Sequence, residues 1–467
     1  MKTVITYGVF DVFHEGHINL LHRAKALGDR LICGVCTDAF AAERGKLLLS
    51  DPLQVRLAHV AACEYVDEVI VEDHLGQKIE DIRRYHADVF VIGDDWQGAF
   101  DYLKEFCEVV YLPRTPGISS SRLRGNPYVT LRLGIIGSGR IVRRFLEEAA
   151  HVKGSLSVDQ IWNPHPGSAE LFLDSLRTDG GADPGDPARP GIGSAARKMH
   201  VCGSLEELFR NSDAVYIASP HGTHYPYARA ALEAGLHVLC EKPMCLKEAH
   251  AKELFRLAAA HGRVLMEGIK TAYCPGFIRL MAVAQSGVIG EIRDIESCFT
   301  KLVPKGLREW TDPCGGAFTE LGSYTLLPAI KLAARNRLSW RFDSLCEDGV
   351  DSYTKAYLSD GRALSSSKTG IGVKSEGQLV IAGTKGYILV PAPWWKTSSF
   401  EIRHEDPSQI DRISMEYVGD GLRYEISEFV GRIQGYSHTD LQLTQDESVL
   451  LARIMEDFLR EREGVRT

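Results

Sequence analysis

The sequence predicts an α/β protein: two successive doubly wound parallel-sheet domains, completed by an α+β domain built on an antiparallel sheet. Three observations carry this expectation. The chain has 467 residues, which at about 100–200 residues per domain favours two to four domains over one. Apolar runs of strand length alternate with helical patterns from the first residue, break off near residues 119–128, and resume at Leu131. From about residue 292 the texture changes to longer alternating runs separated by turn residues.

Val- and Ile-rich runs at 4–10, 30–37, 66–72, 87–93 and 108–112 predict five strands. Between them, 16–27, 52–63, 76–86 and 99–106 place apolar residues near helical spacing. Strands that alternate with helices make a parallel doubly wound sheet. Ser, Arg, Gly, Asn and Pro then cluster at 119–128, which marks a domain boundary. A second series of strands is expected at 131–136, 158–162, 200–202, 214–218, 237–240 and 264–266, interrupted by a Gly-, Pro- and Ala-rich inserted loop at 178–196. Strands at 292–300, 352–358, 378–381, 387–391 and 400–404, with the turn Asp360-Gly361, predict the antiparallel sheet, closed by helices at 421–434 and 445–462. The domains are therefore expected at 1–127, 128–270 and 271–467, with no repeat period of about 20–50 residues among them.

Composition narrows the function classes. Hydrophobic residues make up 44%, charged residues 25% and aromatics 9%, which suits a globular protein and excludes disordered and fibrous classes. With Lys plus Arg 54 against Asp plus Glu 62, the net charge is −8, so no basic excess suggests nucleic acid, and phosphate must be met locally. No apolar run approaches the length of a membrane span and the start lacks the apolar core of a signal peptide, so no membrane partner is expected and the expected location is cytoplasmic. Eleven cysteines are dispersed, and the one CxxC, Cys33 and Cys36, lies inside an expected strand, which favours buried thiols over a metal or redox pair.

Directly after the first strand stands Gly8-Val9-Phe10-Asp11-Val12-Phe13-His14-Glu15-Gly16-His17. Two histidines three apart at the first turn of a helix point the same way, and Gly16 leaves the backbone open to a ligand. A helix start and imidazole donors can follow charge as it grows on a phosphate, although the pair alone also suits capping or surface histidines. Two further motifs follow: Ile92-Gly93-Asp94-Asp95-Trp96 after the fourth strand, and Arg114-Thr115-Pro116-Gly117-Ile118-Ser119-Ser120-Ser121. Residues 1 to about 125 resemble the cytidylyltransferases of the glycerol-3-phosphate, choline-phosphate and ethanolamine-phosphate type, with their HxGH and RTEGIST motifs. The resemblance implies attack of a substrate phosphate on the α-phosphorus of CTP, with release of pyrophosphate and Mg²⁺ on the triphosphate. It assigns His14 and His17 to the transition state, and Lys46 and Arg114 to the CTP phosphates. Arg56 would reach substrate or nucleotide phosphate, and Asp94 the cytosine or ribose. Thr115, Ser119 and Ser120 would meet phosphates, and Gly8, Phe10 and Asp11 would border the nucleotide. Lys46 and Arg56 each also suit a surface position. Val9 departs from the Thr that many members carry, and Pro116 from a common Glu.

The second series opens Leu133-Gly134-Ile135-Ile136-Gly137-Ser138-Gly139-Arg140-Ile141-Val142. Strand, Gly-x-Gly and helix in that order form the phosphate turn of a dinucleotide fold, with Val142 where Gly or Ala is expected. The next strand ends Trp162-Asn163-Pro164-His165, without the acidic residue that binds the adenosine ribose. That leans toward NADPH and leaves NADH open. Later strand ends carry Ser219-Pro220-His221-Gly222-Thr223-His224 and Glu241-Lys242-Pro243, followed by Met266-Glu267-Gly268 and by residues 315–324 ending in Glu320 and Tyr324. Together these resemble the Gfo/Idh/MocA oxidoreductases over about residues 130–465. The resemblance implies a dinucleotide domain followed by a sheet domain that covers the nicotinamide and forms dimers. It makes Lys242 the leading catalytic residue, Tyr324 a proton donor, and Glu320 a group that orients Tyr324 or the substrate. Gly137, Gly139, Arg140, Ile141, Asn163, Ser219, Pro220, His221, His224 and Glu241 would line the cofactor. Core packing for Tyr324 and helix capping for His221 remain the alternatives.

Together the two halves imply a bifunctional enzyme making a CDP-activated polyol from CTP and a sugar phosphate, and a homo-oligomer, dimer or tetramer. Fructose 6-phosphate, giving CDP-hexitol, is the favoured substrate, for surface polysaccharide synthesis; the alternatives are CDP-ribitol from ribulose 5-phosphate, a CDP-glycerol type synthesis, a reductase acting on a free sugar phosphate before transfer or on an unrelated substrate, and a reductase-like half that only binds NAD(P).

Overall fold

The computed structural model describes residues 2–465 apart from 44–48, 50, 75–76, 95–99, 114–129, 153–155, 179–195, 197 and 435–439. The expected boundary segment at 119–128, and all but the ends of the expected loop at 178–196, lie outside the described residues. Two compact units result, one built on Met1–Val129 and one on Thr130–Ile433 with Thr439–Thr467.

In the first unit, β1 (Thr3–Gly8), β2 (Arg30–Cys36), β3 (Glu68–Glu72), β4 (Val89–Gly93) and β5 (Glu108–Leu112) form a parallel sheet in the order β3-β2-β1-β4-β5. Both faces are covered, as a parallel sheet requires. Val4, Leu31, Cys33, Val35 and Val91 pack on one side with Leu21 and Val60, and Ile5, Tyr7, Ile32 and Phe90 on the other with Ile82 and Leu103. Helices Glu15–Lys25, Leu53–Ala61 and Gln77–Tyr85 stand where helical spacing places them, while the expected helix at 99–106 is a 3₁₀ turn, Asp101–Glu105. Cys33 and Cys36 are three apart on a strand and so point to opposite faces; both are buried free thiols in separate apolar clusters.

The second unit begins with β6 (Leu131–Ile136), β7 (Leu156–Trp162), β8 (His200–Val201), β9 (Ala214–Ile217), β10 (His237–Glu241) and β11 (Leu265–Gly268). They form a six-stranded parallel sheet in the order β11-β10-β9-β6-β7-β8. The strand order reverses between β6 and β9, and in an open α/β sheet that crevice, beyond the carboxyl ends of the strands, is where ligands bind.

The remaining strands are β12 (Ile292–Thr300), β13 (Ser339–Glu347), β14 (Val350–Ser359), β15 (Leu364–Gly370), β16 (Leu379–Gly383), β17 (Gly386–Val390), β18 (Ser399–His404) and β19 (Ile410–Ser414). They form one sheet in the order β13-β14-β15-β12-β16-β17-β18-β19. It is not wholly antiparallel: β12 and β15 run parallel. The connection between them contains the helix Ala317–Leu332 and the β13–β14 hairpin, long enough for the crossover that parallel neighbours require. The sequence reading missed that helix and the strands β13, β15 and β19. From Ala317 through Lys331 every residue of the helix is buried, so no polar stripe reveals its period. The strand β15 reads Leu-Ser-Ser-Ser-Lys-Thr-Gly, with almost no apolar residue; its Ser367 hydroxyl donates to Thr325 on the helix at 2.5 Å, and small side chains let the two elements approach closely.

Candidate active sites

In the first unit the site is built on the turn that leaves β1. Phe10 and Val12 have positive φ values of 56° and 48°, a conformation that costs non-glycine residues and persists only where the surroundings enforce it. The enforcement is visible. The Phe10 ring is buried in the core and lies where a Cβ on Gly8 would come within 2.8 Å of it, which explains the glycine. The Asp11 carboxylate accepts from the Asp51 amide at 2.9 Å, and the Asp51 carboxylate accepts from the Val12 amide at 3.1 Å. His14 caps the helix Glu15–Lys25, its Nδ1 accepting from the Gly16 amide at 3.0 Å. An accepting Nδ1 leaves the proton of a neutral ring on Nε2. The His17 ring stacks on it at 3.9 Å and 17°, with Phe10 against its edge at 5.3 Å. The two expected histidines are therefore brought together as a parallel pair at a helix start, beyond the carboxyl end of the sheet's switch-point strand.

Arg56 departs from the expected phosphate contact. It is fully buried, and its guanidinium is committed to the protein. Nε donates to the Asp51 carbonyl at 3.0 Å, Nη1 to the carbonyls of Val9 at 2.6 Å and Cys36 at 2.8 Å, and Nη2 to the Asp38 carboxylate. Arg56 thus ties together the turn after β1, the end of β2 and the start of the helix Leu53–Ala61. Arg56→Ala is expected to lower the stability of this unit by about 3 kcal/mol or more in urea denaturation, because the carbonyls of Val9, Cys36 and Asp51 lose their donor. Arg56→Lys should cost nearly as much, because one ammonium cannot serve acceptors lying in four directions. Nothing in the sequence marks Asp38 as a partner of Arg56, and Asp51 is marked only by its place before Pro52 at the start of a helical run. Asp94 is exposed just beyond β4, while Lys46, Arg114, Thr115, Ser119 and Ser120 lie outside the described residues.

In the second unit Gly137 follows β6 with φ +111°, and a Cβ there would come within 2.5 Å of the Ala218 carbonyl. Only glycine fits. A Cβ on Gly139, by contrast, would meet nothing within 4 Å, so the turn has room above it for a phosphate. Val142 is buried in place of the expected small residue. Ile141 follows Arg140 in the first turn of the helix Arg140–Ala149. Asn163, at the end of β7, donates to the Ser138 hydroxyl at 2.8 Å and accepts from the His165 amide at 2.9 Å. The Arg140 side chain is 72% exposed and donates to the Glu309 carboxylate at 2.6 Å.

Beyond β9 and β10 the chemical groups converge. Lys242 Nζ donates to the Glu320 carbonyl at 2.9 Å and stands 5.7 Å from the centre of the Tyr324 ring. Tyr324 is one turn further along the same buried helix, against Phe299 at 5.5 Å, and Phe299 stacks on Trp395 at 3.6 Å. Burial first, then the charge of Glu241, hold the Tyr324 phenol far above its usual range, so it keeps its proton at neutral pH. The Glu320 carboxylate accepts from Arg308 at 2.7 Å and lies 3.7 Å from His221 Nε2, and it is the Glu320 carbonyl, not the carboxylate, that meets Lys242. Burial, then Lys242, push the His221 imidazole well down, so the ring is neutral. His224 is a brace: its two ring nitrogens lie 2.8 Å from the carbonyls of Ser219 and Pro243, tying the turn after β9 to the turn after β10. Pro220 caps the short His221–Thr223 turn, and the Ser219 hydroxyl accepts from Thr223 at 2.7 Å. Glu241 accepts from the Tyr216 hydroxyl at 2.7 Å and from the Lys242 amide at 3.2 Å.

Beneath this turn Glu267 accepts from the Met244 amide at 3.0 Å, and burial pushes its carboxyl from 4.5 up to about 7. Because the folded value lies above the unfolded one, its contribution to stability is whole below pH 4.5 and is lost as pH rises to about 7. Glu267→Gln is expected to remove about 3 kcal/mol of pH dependence across that window, measured as thermal midpoint against pH.

Comparison with known proteins finds relatives for each half of the chain. Residues 5–126 match the family described as cytidylyltransferase-like, and residues 131–269 the oxidoreductase family with NAD-binding Rossmann fold. The glycerol-3-phosphate cytidylyltransferase of Bacillus spizizenii is 52% identical over 124 residues, 27% of this chain and 95% of that protein. The NADP-dependent scyllo-inositol 2-dehydrogenase of Bacillus subtilis is 28% identical over 342 residues, 70% of this chain and 95% of that protein. A 3-ketoreductase from Actinomadura kijaniata, solved with NADP and TDP-benzene, shares the fold of the second unit with a TM-score of 0.59 at 21% identity, covering 71% of this chain and 97% of its own. The chain belongs to the cytidylyltransferase-like family through its first unit, and with a Gfo/Idh/MocA NAD(P)-binding oxidoreductase domain fused behind that unit it is a bifunctional enzyme.

Proposed function

We propose that the chain makes a CDP-activated polyol for surface polysaccharide synthesis. The first unit transfers CMP from CTP to the phosphate of a ketose phosphate, with release of pyrophosphate, and the second reduces the ketose carbonyl of the CDP-linked product. The observation that carries this reading is the pairing of Lys242 with Tyr324: a cation and a protonated phenol side by side are what a carbonyl needs as it becomes an alcohol. The 3-ketoreductase solved with a TDP-linked ligand supports a nucleotide-linked substrate for this fold. Fructose 6-phosphate is the favoured ketose and ribulose 5-phosphate the second, giving CDP-hexitol or CDP-ribitol.

His14 and His17 present a stacked pair of imidazoles to the α-phosphate, where their N–H groups gain strength as negative charge accumulates on the transferring phosphorus. Mg²⁺ enters with the CTP triphosphate, whose remaining charge falls to Lys46 and Arg114. In the second unit the open turn at Gly137–Gly139 fits a dinucleotide pyrophosphate. NADPH, or NADH, supplies the hydride when bound there. Lys242 stabilises the oxyanion, Tyr324 gives it a proton, and the neutral His221 borders the nicotinamide without adding a competing charge.

The test is incubation of the full chain with CTP, Mg²⁺, NADPH and a panel of ketose phosphates, following pyrophosphate release and NADPH oxidation separately. NADPH oxidation that depends on CTP is expected with one ketose. Pyrophosphate release without NADPH or NADH oxidation from any of them would reduce the second unit to a binding scaffold.

A further inference from the structure

At the edge of the six-stranded sheet, three metal-ligating side chains that neither site uses converge: His200, Cys202 and Glu207. The two-residue strand β8 pairs in parallel with β7, His200 opposite Gln160 and Val201 opposite Ile161, and the Cys202 amide extends the ladder by donating to the Ile161 carbonyl at 2.9 Å. Side chains two apart along a strand share a face, so His200 and Cys202 stand together. The chain then turns at Gly203-Ser204 into the helix Leu205–Arg210. There the Ser204 hydroxyl accepts from the Glu207 amide at 3.2 Å, and the Glu207 side chain reaches back toward the strand.

His200 Nε2 lies 2.9 Å from Glu207 Oε1, Glu207 Oε2 accepts from the Gly203 amide at 2.7 Å, and the Cys202 thiol donates to the Gln160 side-chain carbonyl at 3.1 Å. One imidazole nitrogen, one sulfur and one carboxylate oxygen thus lie within 4.8 Å of one another. The ligands of a tetrahedral zinc ion, each about 2.0–2.3 Å from it, stand about 3.3–3.6 Å apart, so small side-chain rotations close the set. Capping the helix calls for Ser204 and Glu207 alone; it gives no reason for an imidazole and a thiol beside them. Cys202 is buried, while the His200 side chain is exposed, so the set reaches from the interior to solvent. The Gly203 amide fixes the Glu207 carboxylate as an outer hydrogen bond fixes a metal ligand. Burial, then the charge of Glu207, push the Cys202 thiol up to about 11, so the sulfur joins an ion by giving up its proton.

We propose that His200 Nε2, Cys202 Sγ and Glu207 Oε1 bind a divalent transition ion of the zinc class, with the Gln160 side-chain carbonyl or a water in the fourth place. A set of sulfur, imidazole and carboxylate suits a borderline-soft ion, whereas Mg²⁺ and Ca²⁺ take oxygen ligands. On binding, the Cys202 S–H bond breaks, its proton leaves to solvent, and the sulfur pair goes to the ion. His200 in its neutral form, with the proton on Nδ1, offers Nε2, and Glu207 Oε1 exchanges its contact with His200 for the ion. No electron changes hands. The ion joins β7, β8 and the helix Leu205–Arg210 at a sheet edge that otherwise depends on a two-residue strand. From Gln160 the chain runs on to Asn163, which braces the glycine turn through Ser138, so the ion steadies the edge of the dinucleotide domain.

The probe is Co²⁺, which takes the place of zinc and is coloured. The full chain, stripped with a chelator and titrated with Co²⁺ alone, is expected to bind one equivalent. It should develop the visible bands of a tetrahedral ion and a near-ultraviolet thiolate-to-cobalt charge-transfer band, all bleached by Zn²⁺. Cys202→Ser should lose the charge-transfer band. His200→Ala should weaken binding about tenfold or more, since even an outer-shell partner of a metal contributes that much. Cys346 is the exposed cysteine of the chain, and Cys346→Ser, as control, should titrate like wild type. Zn²⁺ should raise the thermal midpoint of the wild type and leave that of H200A where it stands. Absence of cobalt bands in the wild type overturns the site, as do bands that persist at wild-type affinity in both H200A and E207Q. Bands lost in C346S assign the ion to another thiol and overturn it too. The H200A and C346S variants alter exposed side chains, so these readings stand even if C202S fails to fold.

Discussion

Lys242→Ala is expected to slow reduction about 10²–10³-fold or more, while pyrophosphate release stays within about twofold of wild type. The magnitude is that of removing one preorganised donor to a developing oxyanion, about 2.7–4 kcal/mol of transition-state stabilisation. The selectivity follows from geometry: Lys242 is held by the Glu320 carbonyl inside the second unit, where the six-stranded sheet, the helix Ala317–Leu332 and the Tyr324 ring surround it. Arginine should not rescue, because its wider fork cannot replace a point charge seated 2.9 Å from a single carbonyl. NADPH oxidation and pyrophosphate release, each followed on the same preparation, check the result. Equal loss of both activities would contradict separate sites.

His17→Ala should do the reverse, lowering pyrophosphate release about 10²–10³-fold while reduction of a separately prepared CDP-ketose continues. On the proposed reading two contributions are removed at once: a donor to the transferring phosphate, and the ring that stacks on His14 at 3.9 Å. His17→Phe separates them. It restores a stacking ring without an N–H group, so activity that stays low in this variant assigns the loss to the donor, and recovery would assign it to the stack. His17→Asn, which restores a donor without the ring, supplies the complementary reading.

The fold was largely legible because two parallel sheets, covered on both faces, write themselves as continuous Val- and Ile-rich runs with helices between them. The candidate sites were legible where motif and backbone coincide, at the turns after parallel strands that carry His14-Glu15-Gly16-His17, Gly137-Ser138-Gly139 and Glu241-Lys242-Pro243. Reading failed where long-range contacts decide. Arg56 looks like a phosphate ligand until its four acceptors, contributed by residues from Val9 to Asp51, are seen around it. The strand β15 failed for another reason: its serines pair by backbone hydrogen bonds and need no apolar alternation.

The helix that carries Glu320 and Tyr324 has no exposed residue from Ala317 through Lys331. Its backbone amides can meet water only when the surrounding unit opens, so their hydrogen exchange should report the free energy of global unfolding rather than any local breathing. Natural selection inherits the same constraint. A lineage seeking a new substrate has little freedom to alter this helix without loosening the whole unit, and variation should accumulate instead on the half-exposed positions opposite it, such as Phe299, Trp395 and Lys396.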